Sequence, residues 1–218
     1  MKHMLSAIYR ARYSPEDEAL KNSFWRVLTN DFLQKYISEE DAVLDIAAGH
    51  CEFINAVKAK KKYAVDINQR VKSFAADDVT VVVCDAQELP LSLTGKINCV
   101  FMGCFLEHLP NKEAIIRVLK EVQRVLVPEG RLLILNPNIR FLASEYWDYF
   151  DHITPVSDRS VVEILTALGY AIERCIPRFV PNTIKDHLPK SPFLLKLYLR
   201  LPFLYPIFGR QMFIVARK

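Results

Sequence analysis

The chain has 218 residues, 51% of them hydrophobic, with a formal net charge of +4. That length suits one domain with an ample core, and no uncharged apolar run nears the ~20 residues a spanning helix needs. Met1-Lys2-His3-Met4 begins no signal-peptide core, so the chain reads as cytoplasmic. Five scattered cysteines form no Cys-x-x-Cys pair and have no nearby histidine cluster, which predicts neither disulfides nor a metal site.

A helix is predicted from Glu16 to Tyr36, opened by Ser14-Pro15 and carrying Leu20, Phe24, Val27, Leu28, Phe32 and Tyr36 at helical spacing. A buried strand over 42–47 runs into a tight turn and a helix from Gly49 to Lys60. A second strand ends at Asp66, with a helix after it to Ala76. Further strands are expected at 79–84, 97–102, 131–136, 170–176 and 211–217, with helices at 111–127 and 158–168. Strands alternating with helices make a mostly parallel sheet with helices on both faces. The chain reads as a single domain over 1–218, with an N-terminal helical extension (1–40) and a cap insertion (178–210).

Three strands end in carboxylates: Asp45, Asp66 and Asp85. In an open α/β sheet those ends border the crevice where nucleotide-like ligands bind. Asp66 is placed to accept both hydroxyls of a ribose, and the turn after Asp45 offers backbone N–H groups at a helix N-terminus. A dinucleotide site would want Gly-x-Gly-x-x-Gly, whereas this turn holds only Gly49, flanked by Ala47 and Cys51.

Asp45-Ile46-Ala47-Ala48-Gly49-His50-Cys51 resembles the first motif of class I S-adenosylmethionine-dependent methyltransferases, Asp-x-Gly-x-Gly-x-Gly. It matches at Asp45 and Gly49 and departs at Ala47 and Cys51. The resemblance covers about 40–177 and the final strand. It implies a Rossmann-like α/β methyltransferase sheet of seven strands, with the last one antiparallel between the fifth and sixth. It also implies S-adenosylmethionine as cofactor, held by Asp45, Ala47, Gly49, Asp66, Ile67, Asp85, Ala86, Met102 and Gly103. Asp85 would accept from the adenine amino group, although a turn aspartate often caps its own backbone.

Leu106-Glu107-His108-Leu109 is similar to the family's fourth motif, in which His108 is either a general base or a histidine that holds the loop. About twenty residues then separate Asn136-Pro137-Asn138 from the next helix, and a loop of that length is usually functional. Tyr146, Trp147 and Asn138 are candidate acceptor contacts, and Asp151-His152 is the favoured base or orienting pair. Segment 178–210 carries six cations against Asp186, a local charge of +5 among prolines, leucines and aromatics. It reads as a cap for an acidic or lipid-linked acceptor with peripheral membrane contact, or as a helical cover with solvated cations.

The expected function is methyl transfer to an oxygen or nitrogen of a small acceptor. Similarity to members of bacterial surface-polysaccharide pathways implies a sugar-containing or lipid-linked one. Quinone or lipid methylation, and a non-catalytic cofactor-binding module, are the alternatives. No nucleic-acid partner is expected, because the Asn-Pro-Pro-Tyr-type tetrapeptide of base methylators is absent.

Overall fold

The computed structural model describes residues 14–181 and 191–218. Seven strands form one sheet: β1 (Ala42–Ile46), β2 (Lys61–Asp66), β3 (Val79–Val83), β4 (Ile97–Gly103), β5 (Leu126–Pro137), β6 (Ala171–Ile176) and β7 (Gln211–Arg217). Their order is β3-β2-β1-β4-β5-β7-β6. The first five pair in parallel, and β7 runs antiparallel between β5 and β6, as the resemblance implied. The topology reverses between β1 and β4, so the crevice lies where their carboxyl ends part.

Side chains alternate across each strand, which splits the core into two layers. On one face Leu44, Ile46, Val100, Met102, Leu132 and Ile134 meet the apolar stripe of α3 (Lys112–Val125), defined below with the other helices. On the other face Val43, Phe101, Leu133, Leu135 and Phe213 meet Leu28 of the N-terminal helix and Phe32 just after it. Asp45 shares this second face with Val43, by the same alternation.

The helices are α1 (Pro15–Asp31), α2 (Glu52–Ala56), α3, α4 (Ile139–Leu142), α5 (Asp158–Ala167), α6 (Pro192–Leu199) and α7 (Tyr205–Phe208). Good caps fix α3 and α5. Asn111 accepts the Ala114 N–H at 2.9 Å, and Ser157 and Ser160 close a reciprocal capping box.

Four boundaries differ from the sequence expectation. The first helix stops at Asp31, and a 3₁₀ turn at Leu33–Tyr36 completes the predicted stretch. The helix expected over 49–60 shrinks to α2, because Gly49 and Cys51 are left-handed and the chain re-extends at Val57 to enter β2. After Asp66 a 3₁₀ turn at Gln69–Ser73 replaces the expected helix. Strand β5 starts at Leu126, directly after α3, and absorbs Pro128-Glu129-Gly130 in an irregularity of its own opposite Ile97 to Cys99 of β4.

Candidate active site

The carboxyl end of β1 leads into a turn in which Ala47, Gly49 and Cys51 all take positive φ, at 58°, 55° and 60°. Two non-glycine residues therefore occupy left-handed backbone where glycine is the unstrained choice, at a cost of roughly 1–2 kcal/mol each. Cys51 offsets part of that by filling the core. It is fully buried, with Sγ 3.8 Å from the Val71 carbonyl. Burial and the nearby carboxylates push its thiol up to about 12, so it is inert as a nucleophile.

Three carboxylates surround this turn. Asp45 is buried, and desolvation, reinforced by Glu52 and Asp66, pushes its carboxyl well above the ordinary value against a hydrogen bond from the Ile54 backbone. Asp66 is half-buried at the end of β2. Its Oδ2 accepts the Gly49 N–H at 2.9 Å and its Oδ1 accepts the Asn68 N–H at 2.7 Å. The acid at the end of β2 thus fixes the turn at the end of β1. Glu52, in the first turn of α2, is paired with Lys21 of α1 at 2.7 Å. At β3, Asp85 accepts the backbone N–H of Gln87 at 2.9 Å, and Ala86 beside it is buried. The turn-capping description of Asp85 holds, and the carboxylate still stands at the strand end. Ile67 follows Asp66 and is exposed.

At the end of β4, Met102 is buried between Ile46 and Ile134. A Cβ on Gly103 would lie 2.8 Å from the Phe101 ring and 3.2 Å from Trp25. Glycine is therefore demanded here by two aromatic rings, one of them brought by α1.

The turn after β4 meets the loop after β5. The N–H groups of Ile153 and Thr154 both donate to the Glu107 carbonyl, at 2.8 and 3.1 Å, and the Thr154 hydroxyl donates to Leu109 O at 2.6 Å. This pairing brings His108, Asp151 and His152 together: the two imidazole centroids are 5.4 Å apart, and His108 Nδ1 lies 2.8 Å from the Asp151 carbonyl. Since a carbonyl only accepts, Nδ1 donates in this contact. Glu107 is fully buried between them, and desolvation raises its carboxyl above the ordinary value. His152 stacks on Tyr149 at 4.9 Å and meets the edge of Tyr146 at 4.8 Å.

Residues 44–134 match the family model described as "Methyltransferase domain". That stretch is similar to a methyltransferase domain. S-adenosylmethionine is the cofactor that such a domain takes. Over 122 residues the chain is 27% identical to the ubiquinone/menaquinone biosynthesis C-methyltransferase UbiE of Cellvibrio japonicus, covering 55% of this chain and 47% of that protein. It is 29% identical over 125 residues to the uncharacterized protein MJ1252 of Methanocaldococcus jannaschii, covering 56% and 47%. The chain thus spans about half the length of the curated relatives it matches. The fold is similar to that of a SAM-dependent methyltransferase from Archaeoglobus fulgidus, with a TM-score of 0.65, 22% identity, and coverage of 88% and 92% of the two chains.

The expected cofactor residues lie along the ends of β1, β2, β3 and β4. The expected acceptor residues divide. Trp147 is exposed and edge-on to Tyr146 at 5.3 Å. Tyr146 is fully buried, and its hydroxyl donates to Thr154 O at 2.8 Å, so it supports the loop from below. Asn138 needs correcting: it is fully buried, its amide donates to Asp158 at 2.7 Å and to Pro177 O at 2.9 Å, and its oxygen accepts from Arg140 N. Those bonds make it a structural clamp and not an acceptor contact. Sequence reasoning missed Lys21, Trp25 and Glu107. Only Glu107 had a usable signal, as a carboxylate inside an otherwise apolar Phe-Leu-Glu-His-Leu run.

The cap's cations are largely engaged. Arg178 donates to Gly209 O and Ile207 O, Arg210 to Phe141 O and Glu145, and Lys196 sits 3.6 Å from Asp31. Lys185, Asp186 and Lys190 lie outside the described residues. Among the described residues no helix is long and apolar enough to cross a membrane.

Proposed function

We propose that the protein transfers the methyl group of S-adenosylmethionine to an oxygen or nitrogen of a small acceptor, sugar-containing or lipid-linked. The observation that carries this reading is the row of carboxylates Asp45, Asp66 and Asp85 at the ends of three adjacent parallel strands, flanking a left-handed turn. The residues fit the cofactor. A cluster of Asp45, Glu52 and Asp66 against one lysine favours a cationic ligand over a pyrophosphate.

When bound, S-adenosylmethionine would supply a sulfonium-activated methyl carbon, to which an acceptor lone pair would bond as the carbon–sulfur bond breaks, with S-adenosylhomocysteine as leaving group. The protein's share is placement and exclusion of water. Asp66 would hold the ribose hydroxyls, Asp85 and Ala86 the adenine edge, and Met102 and Gly103 the methionyl end. Asp151 and His152 orient the acceptor and receive its proton, with His108 behind them. Isothermal titration with S-adenosylmethionine tests the reading. One-site binding is expected, and a folded protein that binds neither S-adenosylmethionine nor S-adenosylhomocysteine would leave a non-catalytic module.

A quinone or other lipid acceptor is a second reading, supported by apolar side chains at the cap. Phe193 and Leu197 of α6, Phe203, and Ile207 and Phe208 of α7 are all exposed, with Arg200 among them. Such a rim suits an apolar acceptor at an anionic surface. Reversing Lys196 and Arg200 to glutamate should weaken binding to anionic vesicles or raise the acceptor KM, less so at high salt, while S-adenosylmethionine affinity holds. Unaltered vesicle binding and acceptor kinetics at low salt would make these cations a solvated rim.

A further inference from the structure

We propose that Glu107, His108 and His152 form a binding site for one divalent cation of borderline softness, such as zinc or cobalt, on the acceptor side of the methyl-transfer site. One ligand atom from each of the three side chains lies within 4.8 Å of the other two. Two imidazoles and one carboxylate are the donor set that suits these metals, while leaving coordination positions open for water or an acceptor oxygen.

Two further observations point to a ligand. Both Glu107 oxygens are buried without a hydrogen bond in good geometry among the described residues, although Asn136 is near enough to favour the ionised form. A carboxylate held that way is costly unless something positive meets it. His108 has the arrangement that ligating histidines use: Nδ1 donates to the Asp151 carbonyl at 2.8 Å, and Nε2 faces the Glu107 carboxylate at 3.8 Å. The third ligand is delivered by the loop, which the Ile153 and Thr154 N–H groups fasten to Glu107 O. His152 is 45 positions from Glu107, and this pairing helps to bring it there.

The sequence had given no reason to expect a metal, because its histidines and acids are dispersed along the chain. The cation's role rests on the methyl-transfer reading: it would hold an acceptor oxygen against the end of β4 and make that oxygen more acidic. As ligands, His108 and His152 would leave proton uptake to Asp151 or to solvent. Metal binding itself does not depend on that reading.

The test uses the full chain, stripped with chelator and then titrated with cobalt(II) and zinc(II). Cobalt uptake is read by visible absorption, and zinc stoichiometry by elemental analysis after gel filtration. One equivalent per chain is expected, with affinity falling tenfold or more in both Glu107→Gln and His152→Ala. Glu107→Gln keeps the shape of the side chain and relieves a buried charge, so it should fold. Asp66→Ala serves as the control that separates the two ideas: it should bind S-adenosylmethionine more weakly and keep the metal. No stoichiometric uptake by the folded wild type, or uptake undiminished in the two variants, would overturn the proposal.

Discussion

Asp66 offers the sharpest test of the cofactor site, because its hydrogen bonds can be counted. A carboxylate has about four acceptor positions. The N–H groups of Gly49 and Asn68 use two of them, at 2.9 and 2.7 Å. About two remain, which is what the two hydroxyls of a ribose require. Hydrogen bonds to a charged group contribute roughly 1.5–3 kcal/mol each, and halving that for partial exposure gives about 1.5–3 kcal/mol for the pair. Asp66→Ala should therefore weaken S-adenosylmethionine binding by roughly tenfold to a hundredfold. The variant should also melt a few degrees lower, since the turn loses two bonds. Calorimetry gives the affinity, and a cycle against the 3′-deoxy analogue of S-adenosylhomocysteine isolates the ribose contribution. The two losses should not add, because both remove the same contact. An unchanged dissociation constant in folded Asp66→Ala, or fully additive losses, would refute the assignment.

Other outcomes follow from the same geometry. Cys51→Gly should hold or improve cofactor binding, since it relieves a positive φ of 60° next to the ligand, and native Cys51 should resist alkylation at pH 8. Titration with S-adenosylmethionine and a thiol-labelling time course check both. Asn138→Ala should cost about 1–3 kcal/mol, read by chemical denaturation, because it strips buried Asp158 and Pro177 O of a donor; acceptor KM should barely move. The Asp45 carboxyl is raised, so between the ordinary carboxylate range and its raised value the folded state binds more protons than the unfolded one. Ligand-free stability should then fall as pH rises through that window. A cationic cofactor favours the ionised form, so its affinity should strengthen over the same window with release of a proton, measurable by calorimetry in two buffers. Flat affinity across that range would remove Asp45 from the site.

The strands and their terminal acids were legible because buried parallel strands read as short apolar runs, and Asp45, Asp66 and Asp85 each interrupt one. The position of β7 was not in the periodicity, which specifies faces but not neighbours; the resemblance supplied it. Helix lengths failed beside the turn. Ala47 and Cys51 are ordinary helix-compatible residues by composition, and only tertiary packing holds them left-handed. Glu107 was overlooked for a different reason. Its significance depends on His152, and that contact exists only once Thr154 and Ile153 have paired with the turn after β4. Asn138 read as a contact because it ends a strand at the correct edge, while its buried partner Asp158 comes twenty positions later.

The fastening of residues 153 and 154 to the Glu107 carbonyl ties the proposed acceptor wall to the turn after β4. Strand β4 is itself in register with β1 and β5 on either side. The distance between the proposed cofactor shelf and the proposed acceptor wall then depends on main-chain bonds, which any side chain can satisfy. Surface aromatics on the wall, such as Trp147 and Phe150, are free of that duty. Replacing them could retune which molecule is admitted while the spacing that methyl transfer demands stays where the backbone put it.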